Sequence, residues 1–333
     1  MELPYSQQGR LGRNSWVRWG AGLLLIAYSW FVLGGAIPPL VAAACGPGAR
    51  FDAMSGRLVG VSALVNYAAL ALGFVPLLCG TLLAVRLIHG RRLRTLLASG
   101  GRPDARRVFH GFALYGALLG AAALGEVFLG PPRYELTWDP AAFLQFLPVA
   151  LLLVPLQAGA EELLFRGYLL QGFGLFIRNP IGLASVSGLL FALSHVGNPE
   201  LDAGFWLVGA YYFGFGALLA LVTLRTGGLD LAVGAHSANN LFALLLVNSP
   251  DSIVASPSVW TIARIDTAYT LISFLAVAVA FYALTCCGAP PSATAADWET
   301  GKTSDLRGPL QGPSCARQQL ELLSQASAAA PPS

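Results

Sequence analysis

Long apolar stretches separated by short polar ones dominate this 333-residue chain. Runs of about 20 apolar residues are long enough to cross a hydrocarbon core. Eight stretches qualify: 16–44, 60–88, 108–129, 141–171, 181–196, 204–224, 229–248 and 268–287. Each predicts a helix, because a backbone inside lipid must satisfy its own N–H and C=O groups. The expected fold class is therefore all-α, a polytopic membrane bundle of about eight transmembrane helices. The first run is long and lacks a small-x-small cleavage signature, so it reads as a retained helix. Runs longer than one span must tilt, kink or emerge. A polar N-terminal segment, 1–15, precedes the transmembrane domain, 16–287. From residue 288 to 333 the composition turns abruptly to Pro, Ala, Ser and Gly, which predicts a disordered tail.

Composition agrees with that pattern. The chain is 55% hydrophobic and 11% charged, against roughly a quarter charged in soluble proteins. A net charge of +3 is small, and the arginines sit in short segments between apolar runs, so they read as topology signals and exclude a nucleic-acid partner. With the N-terminus inside, the cytoplasmic side receives Arg10, Arg13, Arg18, the seven basic residues from Arg86 to Arg107, Arg178, Arg225, Lys302, Arg307 and Arg317. The other side receives Arg50, Arg57, Arg133 and Arg264. That asymmetry predicts N-in and C-in. Cys45, Cys79, Cys286, Cys287 and Cys315 show no CxxC or zinc-type spacing, which argues against a disulfide framework. Cys286 and Cys287 read as small residues closing the last helix, with acylation as the alternative.

An ionisable side chain near the bilayer centre costs at least about 2.5–3.5 kcal/mol on insertion scales, so each one asks for a partner or a task. The fourth run carries Glu161, Glu162 and Arg166 in "AGAEELLFRGYLL"; the fifth ends in "FALSH" with His195; the seventh contains "HSANN" with His236, Asn239 and Asn240. Glu126 lies near the outer end of the third, while His89 and His110 flank the basic loop. Glu162 and Arg166 are four apart, acid first, the favourable order for a helical ion pair. Glu161 is turned by about 100° from its neighbour and can face a cavity while Glu162 is held. Phe191 with His195, and His236 with Asn240, repeat the four-residue spacing, and Asn239 borders the second stripe. At 1.5 Å per residue, Glu161, His236 and His195 come out about 15, 10 and 20 Å from the cytoplasmic helix ends, close enough to meet. Pro148 and Pro155 upstream would free carbonyls, bend the helix and open a pocket.

Each group alone has a plainer reading. Glu162 with Arg166 can be a structural ion pair, His195 a cap on helix-end carbonyls, and "HSANN" hydrogen-bond glue between helices. Gly209, Gly214 and Gly216 read as sites of close helix packing. A diacid, two histidines and an asparagine on three helices together argue for chemistry.

In order, "EELLFR", "FALSH" and "HSANN" match EExxxR, FxxxH and HxxxN, and the chain thereby resembles the CPBP (CAAX-protease and bacteriocin-processing, or Abi) family of intramembrane proteases. The likeness covers about 155–245, so a protease core of about 141–248 is expected. It implies Glu161 as the general base that activates a water, His195 as its co-ligand, and His236 with Asn240 as stabilisers of the oxyanion. Glu162, Arg166, Phe191 and Asn239 take supporting roles, with Glu162 as a further candidate for the substrate site. A desolvated carboxylate is a better base at neutral pH, and preorganised donors in a dry site favour a tetrahedral intermediate. Water activation by Glu and His needs no ion, so no cofactor is the favoured expectation. Glu161, His195 and His236 form the alternative zinc set.

The expected function is intramembrane endopeptidase, acting on a membrane-embedded or lipid-anchored protein or peptide. The alternative is a non-catalytic membrane immunity or scaffold protein of the same fold. Transport through the polar pocket is disfavoured, because the two halves show no paired broken helices. An Ala-, Gly- and Arg-rich, Lys-poor composition points to a bacterial inner membrane, where prenylated tails are not expected as substrates.

Overall fold

A computed structural model of the chain describes residues 3–99, 103–129, 134–249, 252–262 and 265–286. The tail 288–333, with Cys315, and Cys287, Arg133 and Arg264 lie outside the described residues. All eight apolar runs are helical. They form α1 (Trp16–Ala27), continued through a π-helical stretch into α2 (Gly35–Ala44); α3 (Ala63–Leu72) and α4 (Phe74–Leu83); and, after the short α5 (Arg94–Leu97), α6 (Ala105–Leu129). Next come α7 (Pro140–Glu162), a π-helical stretch Leu163–Leu169 and α8 (Leu170–Phe173); α9 (Pro180–Leu193); α10 (Phe205–Thr226); α11 (Asp230–Leu241), with a π extension Phe242–Leu246; and α12 (Thr267–Cys286).

Six of these spans are long and apolar enough to cross a membrane. The other two helical runs are shorter: α9 has 14 residues, about 21 Å at 1.5 Å per residue, and α11 has 12 before its π extension. α9 packs one face on α10, exposes Ile181, Leu189 and Leu193 on the other and leads into His195, while α11 is largely buried and carries His236, Asn239 and Asn240. α7 is continuous through Pro148 and Pro155. The irregularity falls about two turns after Pro155, in the π stretch just after the two glutamates, a form often found at functional sites.

Local sequence explains the starts of two of the helices that lead into the site. Asp139 caps α7 by accepting from Ala141 N and Ala142 N at 2.9 and 3.2 Å. Asn179 caps α9 by accepting from Ile181 N and Gly182 N at 2.8 and 3.1 Å. Each cap is followed by proline at the first helical position, where the missing N–H costs nothing.

The loops gather at two ends. At one, the segment Tyr5–Leu11 forms a buried 3₁₀ helix against α8 and α5. There Tyr5 donates to Leu96 O, Leu229 N to Leu97 O, and Arg107 lies 3.8 Å from Asp230. The expected polar segment 1–15 is thus largely a docked element. At the other end are strands absent from the sequence reading. β1 (Arg50–Asp52) and β2 (Arg57–Val59) make an antiparallel hairpin. β3 (Tyr134–Leu136), β4 (Val247–Asn248) and β5 (Trp260–Ile262) make a sheet in the order β3-β5-β4. Arg57 donates to Ser252 O, and Ile253 N to Glu200 at 2.9 Å, tying that end together.

The core runs between the helices that carry the site, with Leu77, Tyr115, Phe191, Leu219 and Phe281 almost wholly buried. α9 and α10 meet closely at Gly188 and Gly216. A Cβ at Gly216 would lie 2.8 Å from Gly188 Cα and 2.9 Å from Phe191 Cβ. Gly216→Ala is therefore expected to destabilise by about 1–3 kcal/mol, the usual cost of overpacking. Gly209→Ala, where an added Cβ meets nothing within 4 Å, is expected to be neutral. Thermal unfolding of both variants in detergent checks the contrast.

Candidate active site

Glu161 and Glu162 end α7, and their side chains take different surroundings as the helix turns. Glu162 is fully buried. Its Oε1 accepts from Arg166 Nη1 at 2.7 Å and from His236 Nδ1 at 2.7 Å. Arg166, also fully buried, donates through Nη2 to Gly216 O at 3.1 Å, and its guanidinium lies 4.8 Å from the centre of the Phe191 ring. The four-residue ion pair expected from sequence is present, and α10 supplies the carbonyl that completes it. Glu162 lines neither of the cavities described below; its Oε1 binds Arg166 and His236, and its Oε2 has no hydrogen-bond partner among the described residues.

Glu161 is 4% exposed. Its Oε1 accepts from Gln157 Nε2, one turn earlier, at 3.2 Å. Its Oε2 has no hydrogen-bond partner among the described residues and lies 3.8 Å from His236 Nε2. That gap is beyond direct hydrogen-bond distance, the range in which a bridging water is the usual link. The imidazole of His236 thus stands between the two carboxylates, each nitrogen turned to a different one.

Each histidine has its Nδ1 fixed as a donor by an oxygen partner. A carbonyl can only accept, so the 2.7 Å contact between His195 Nδ1 and Phe191 O makes that nitrogen the donor. The helix-capping reading of His195 is therefore correct, and the cap leaves Nε2 for other partners. His195 sits in the turn after α9, just beyond the helix, with its ring stacked 4.3 Å from Tyr212 and 4.5 Å from Phe191. Phe191 also meets His236 edge-on at 5.7 Å. The expected supporting Phe191 is the ring on which Arg166, His195 and His236 all pack.

Two adjoining cavities meet at His195. One, of about 190 Å³, is lined by Glu161, Gln157, Ser194 and His195 on one side and by Trp30 and Phe74 on the other. The second, of about 390 Å³, is lined by His195, Asn239, Asn240, Tyr211 and Tyr212. Asn239 accepts from Tyr211 Oη at 2.9 Å and donates to Asn240 Oδ1 at 3.2 Å. Asn240 is thereby oriented through its oxygen, and its amide N–H groups remain as donors. All eight residues singled out by sequence fall in this one region, with Glu126 far from it on α6, beside Tyr134.

Gln157, Tyr211, Tyr212 and Asn198 line the cavities too and were not singled out. Gln157 had a signal, as a polar residue one turn before Glu161 in an apolar run. The tyrosines lay in "GAYYFGFG", read only for its glycines. Among those, Gly214 and Gly216 make close contacts and Gly209 makes none within 4 Å. Among the described residues, no three His, Cys, Asp or Glu side chains are arranged to share a metal ion. The alternative zinc set, Glu161, His195 and His236, is not gathered into such a group among the described residues.

A family model described as Rce1-like, type II CAAX prenyl endopeptidase, matches residues 142–242, which hold all eight residues singled out by sequence. The uncharacterized protein YyaK of Bacillus subtilis (strain 168) is 35% identical over 204 residues, 61% of this chain and 68% of that one. No solved structure matches.

Proposed function

The chain belongs to the Rce1-like, CPBP family of membrane proteins, and from that premise we propose that it is an intramembrane endopeptidase using Glu161 as its base. The observation that carries this reading is the partition of the two carboxylates. Both carboxylates leave Oε2 without a hydrogen-bond partner among the described residues, but Glu162 is tied through Oε1 to Arg166 and His236 and lines neither cavity, whereas Glu161 borders the smaller one.

In the proposed reaction, a water in the smaller cavity is held between Glu161 and the unprotonated Nε2 of His195. Glu161 takes one proton as the water oxygen attacks the carbonyl carbon of the scissile bond. The resulting oxyanion accepts hydrogen bonds from the Asn240 amide and from His236 Nε2–H. The scheme takes His236 as doubly protonated, with Nδ1–H on Glu162 and Nε2–H on the side of Glu161. Collapse of the intermediate breaks the C–N bond, and Glu161 returns its proton to the leaving amine. Each preorganised oxyanion donor is worth about 2.7–4 kcal/mol to such a step. No metal takes part in this scheme.

Comparing the termini of membrane proteins between cells with the wild-type chain and cells with Glu161→Ala tests the reading. Peptides ending at new internal sites should be present with the wild type and lost with the variant. Identical sets of termini, with the wild-type phenotype retained by Glu161→Ala, would instead favour a non-catalytic immunity or scaffold protein.

A further inference from the structure

The lining of the larger cavity reaches one end of the bundle. The larger is walled by Asn198 and Glu200 after α9, by Ser252 and Ile253, and by Thr267 and Thr270 at the start of α12. All of these belong to the end that carries β1–β5. At the opposite end the site is closed. Tyr168 and Gln171, the turns below the glutamates, are fully buried. Gln171 donates to Thr95 O at 2.8 Å, and Tyr168 Oη meets His89 at 3.0 Å. The docked 3₁₀ segment Tyr5–Leu11 covers this floor, with Gln7 donating to Gly174 O.

The closed end is the arginine-rich one. Arg10, Arg13, Arg86, Arg91, Arg92, Arg94, Arg106 and Arg107 lie there, and among the described residues only Arg50 and Arg57 lie at the open end. The positive-inside rule places the closed end in the cytoplasm.

Shape narrows what can enter. The smaller cavity, about 190 Å³ and faced by Trp30, Leu70, Ala71 and Phe74, admits an apolar side chain. A helix about 10–12 Å across does not fit it. The two cavities share Tyr67, Gln157, His195, Asn198, Ile253 and Val254, so a chain passing His195 occupies both. The larger one is walled mainly by apolar side chains such as Val154, Leu207, Leu244 and Ile262, with hydroxyl and amide groups and Glu200 between them, and among the described residues no Lys or Arg lines it.

We propose that the substrate is an extended segment on the extracytoplasmic side of a membrane-anchored protein, entering at the arginine-poor end and lying across both cavities. An apolar side chain next to the scissile bond fills the Trp30–Phe74 pocket, and the flanking residues, largely apolar as well, lie in the larger cavity. This inference rests on the endopeptidase reading and adds the side, conformation and class of substrate. It excludes a cytoplasmic C-terminal tail.

Single-cysteine variants test the orientation independently of activity. In a background with the five native cysteines replaced, Ser252→Cys and Thr267→Cys should react with a membrane-impermeant maleimide in right-side-out vesicles. Arg92→Cys should react only in inside-out vesicles. The reverse pattern, or failure of both mouth positions to react from the outside, overturns the inference and leaves the endopeptidase reading intact. A second arm maps the termini that depend on Glu161. Sites in extracytoplasmic segments support the inference, and sites in cytoplasmic tails overturn it alone. If no terminus depends on Glu161, the endopeptidase reading falls and this inference with it.

Discussion

Glu161→Gln is expected to lower turnover by about 10²–10⁴-fold, the usual range for loss of a positioned general base, while the protein stays folded. The amide keeps the shape of the carboxylate and can still bond Gln157, which now reaches it at 3.2 Å. The ion pair that secures the helix end, between Glu162 and Arg166, is untouched. What disappears is the capacity to take a proton from water. Glu161→Asp separates charge from geometry: it keeps a base but withdraws it by one methylene from the cavity. A displacement of about 1 Å at a reacting group costs on the order of 10²-fold, so this variant should fall between wild type and Glu161→Gln. The measurement is cleavage of a substrate identified from the termini comparison, with size-exclusion and thermal unfolding in detergent as controls. Full turnover in Glu161→Gln would remove Glu161 from the reaction, whatever else the site does.

The membrane bundle and most of this site could be read from the sequence because lipid penalises polar groups so strongly. Within 140–250, a charged or histidine side chain in an apolar run had to be explained, and Glu161, Glu162, Arg166, His195 and His236 were found that way. Helical spacing then separated Glu161 from Glu162, and the structure keeps that division. Other features carry a weaker sequence signal. A π stretch such as Leu163–Leu169 changes the hydrogen-bond register without changing residue type. Strands of two or three residues are stabilised by contacts between loops distant in sequence, such as Tyr134 with Ile262. The docking of Tyr5–Leu11 depends on a floor built from α5 and α8, so a polar segment of that composition reads as free chain. Tyr211 and Tyr212 escaped because tyrosine is common on apolar helices, and only the stacking on His195 and the bond to Asn239 distinguish them. The short, largely buried α11 also needed the fold, since apolar content alone does not tell a helix facing lipid from one surrounded by helices.

Arg166→Met is expected to be the most destabilising single change at the site. Removing one partner of a buried pair leaves the other charge uncompensated, at about 3–5 kcal/mol. Here the stranded group is Glu162, wholly buried, with His236 as its sole remaining hydrogen-bond partner among the described residues. The loss of the Gly216 contact also loosens α7 from α10. The double variant Glu162→Leu/Arg166→Met removes both charges, and replacing a buried ion pair by apolar residues is often neutral or stabilising. Its unfolding temperature is expected to return close to that of the wild type. Turnover is not expected to return with it, because His236 has lost the carboxylate that holds Nδ1–H and turns Nε2 toward Glu161. Stability and activity should therefore part company in the double variant. If both recover, Glu162 is a structural counter-ion only and does not position His236. If neither recovers while the protein still inserts, the pair also supports the packing of Phe191 beneath His195 and His236, as the 4.8 Å approach of Arg166 to that ring would allow.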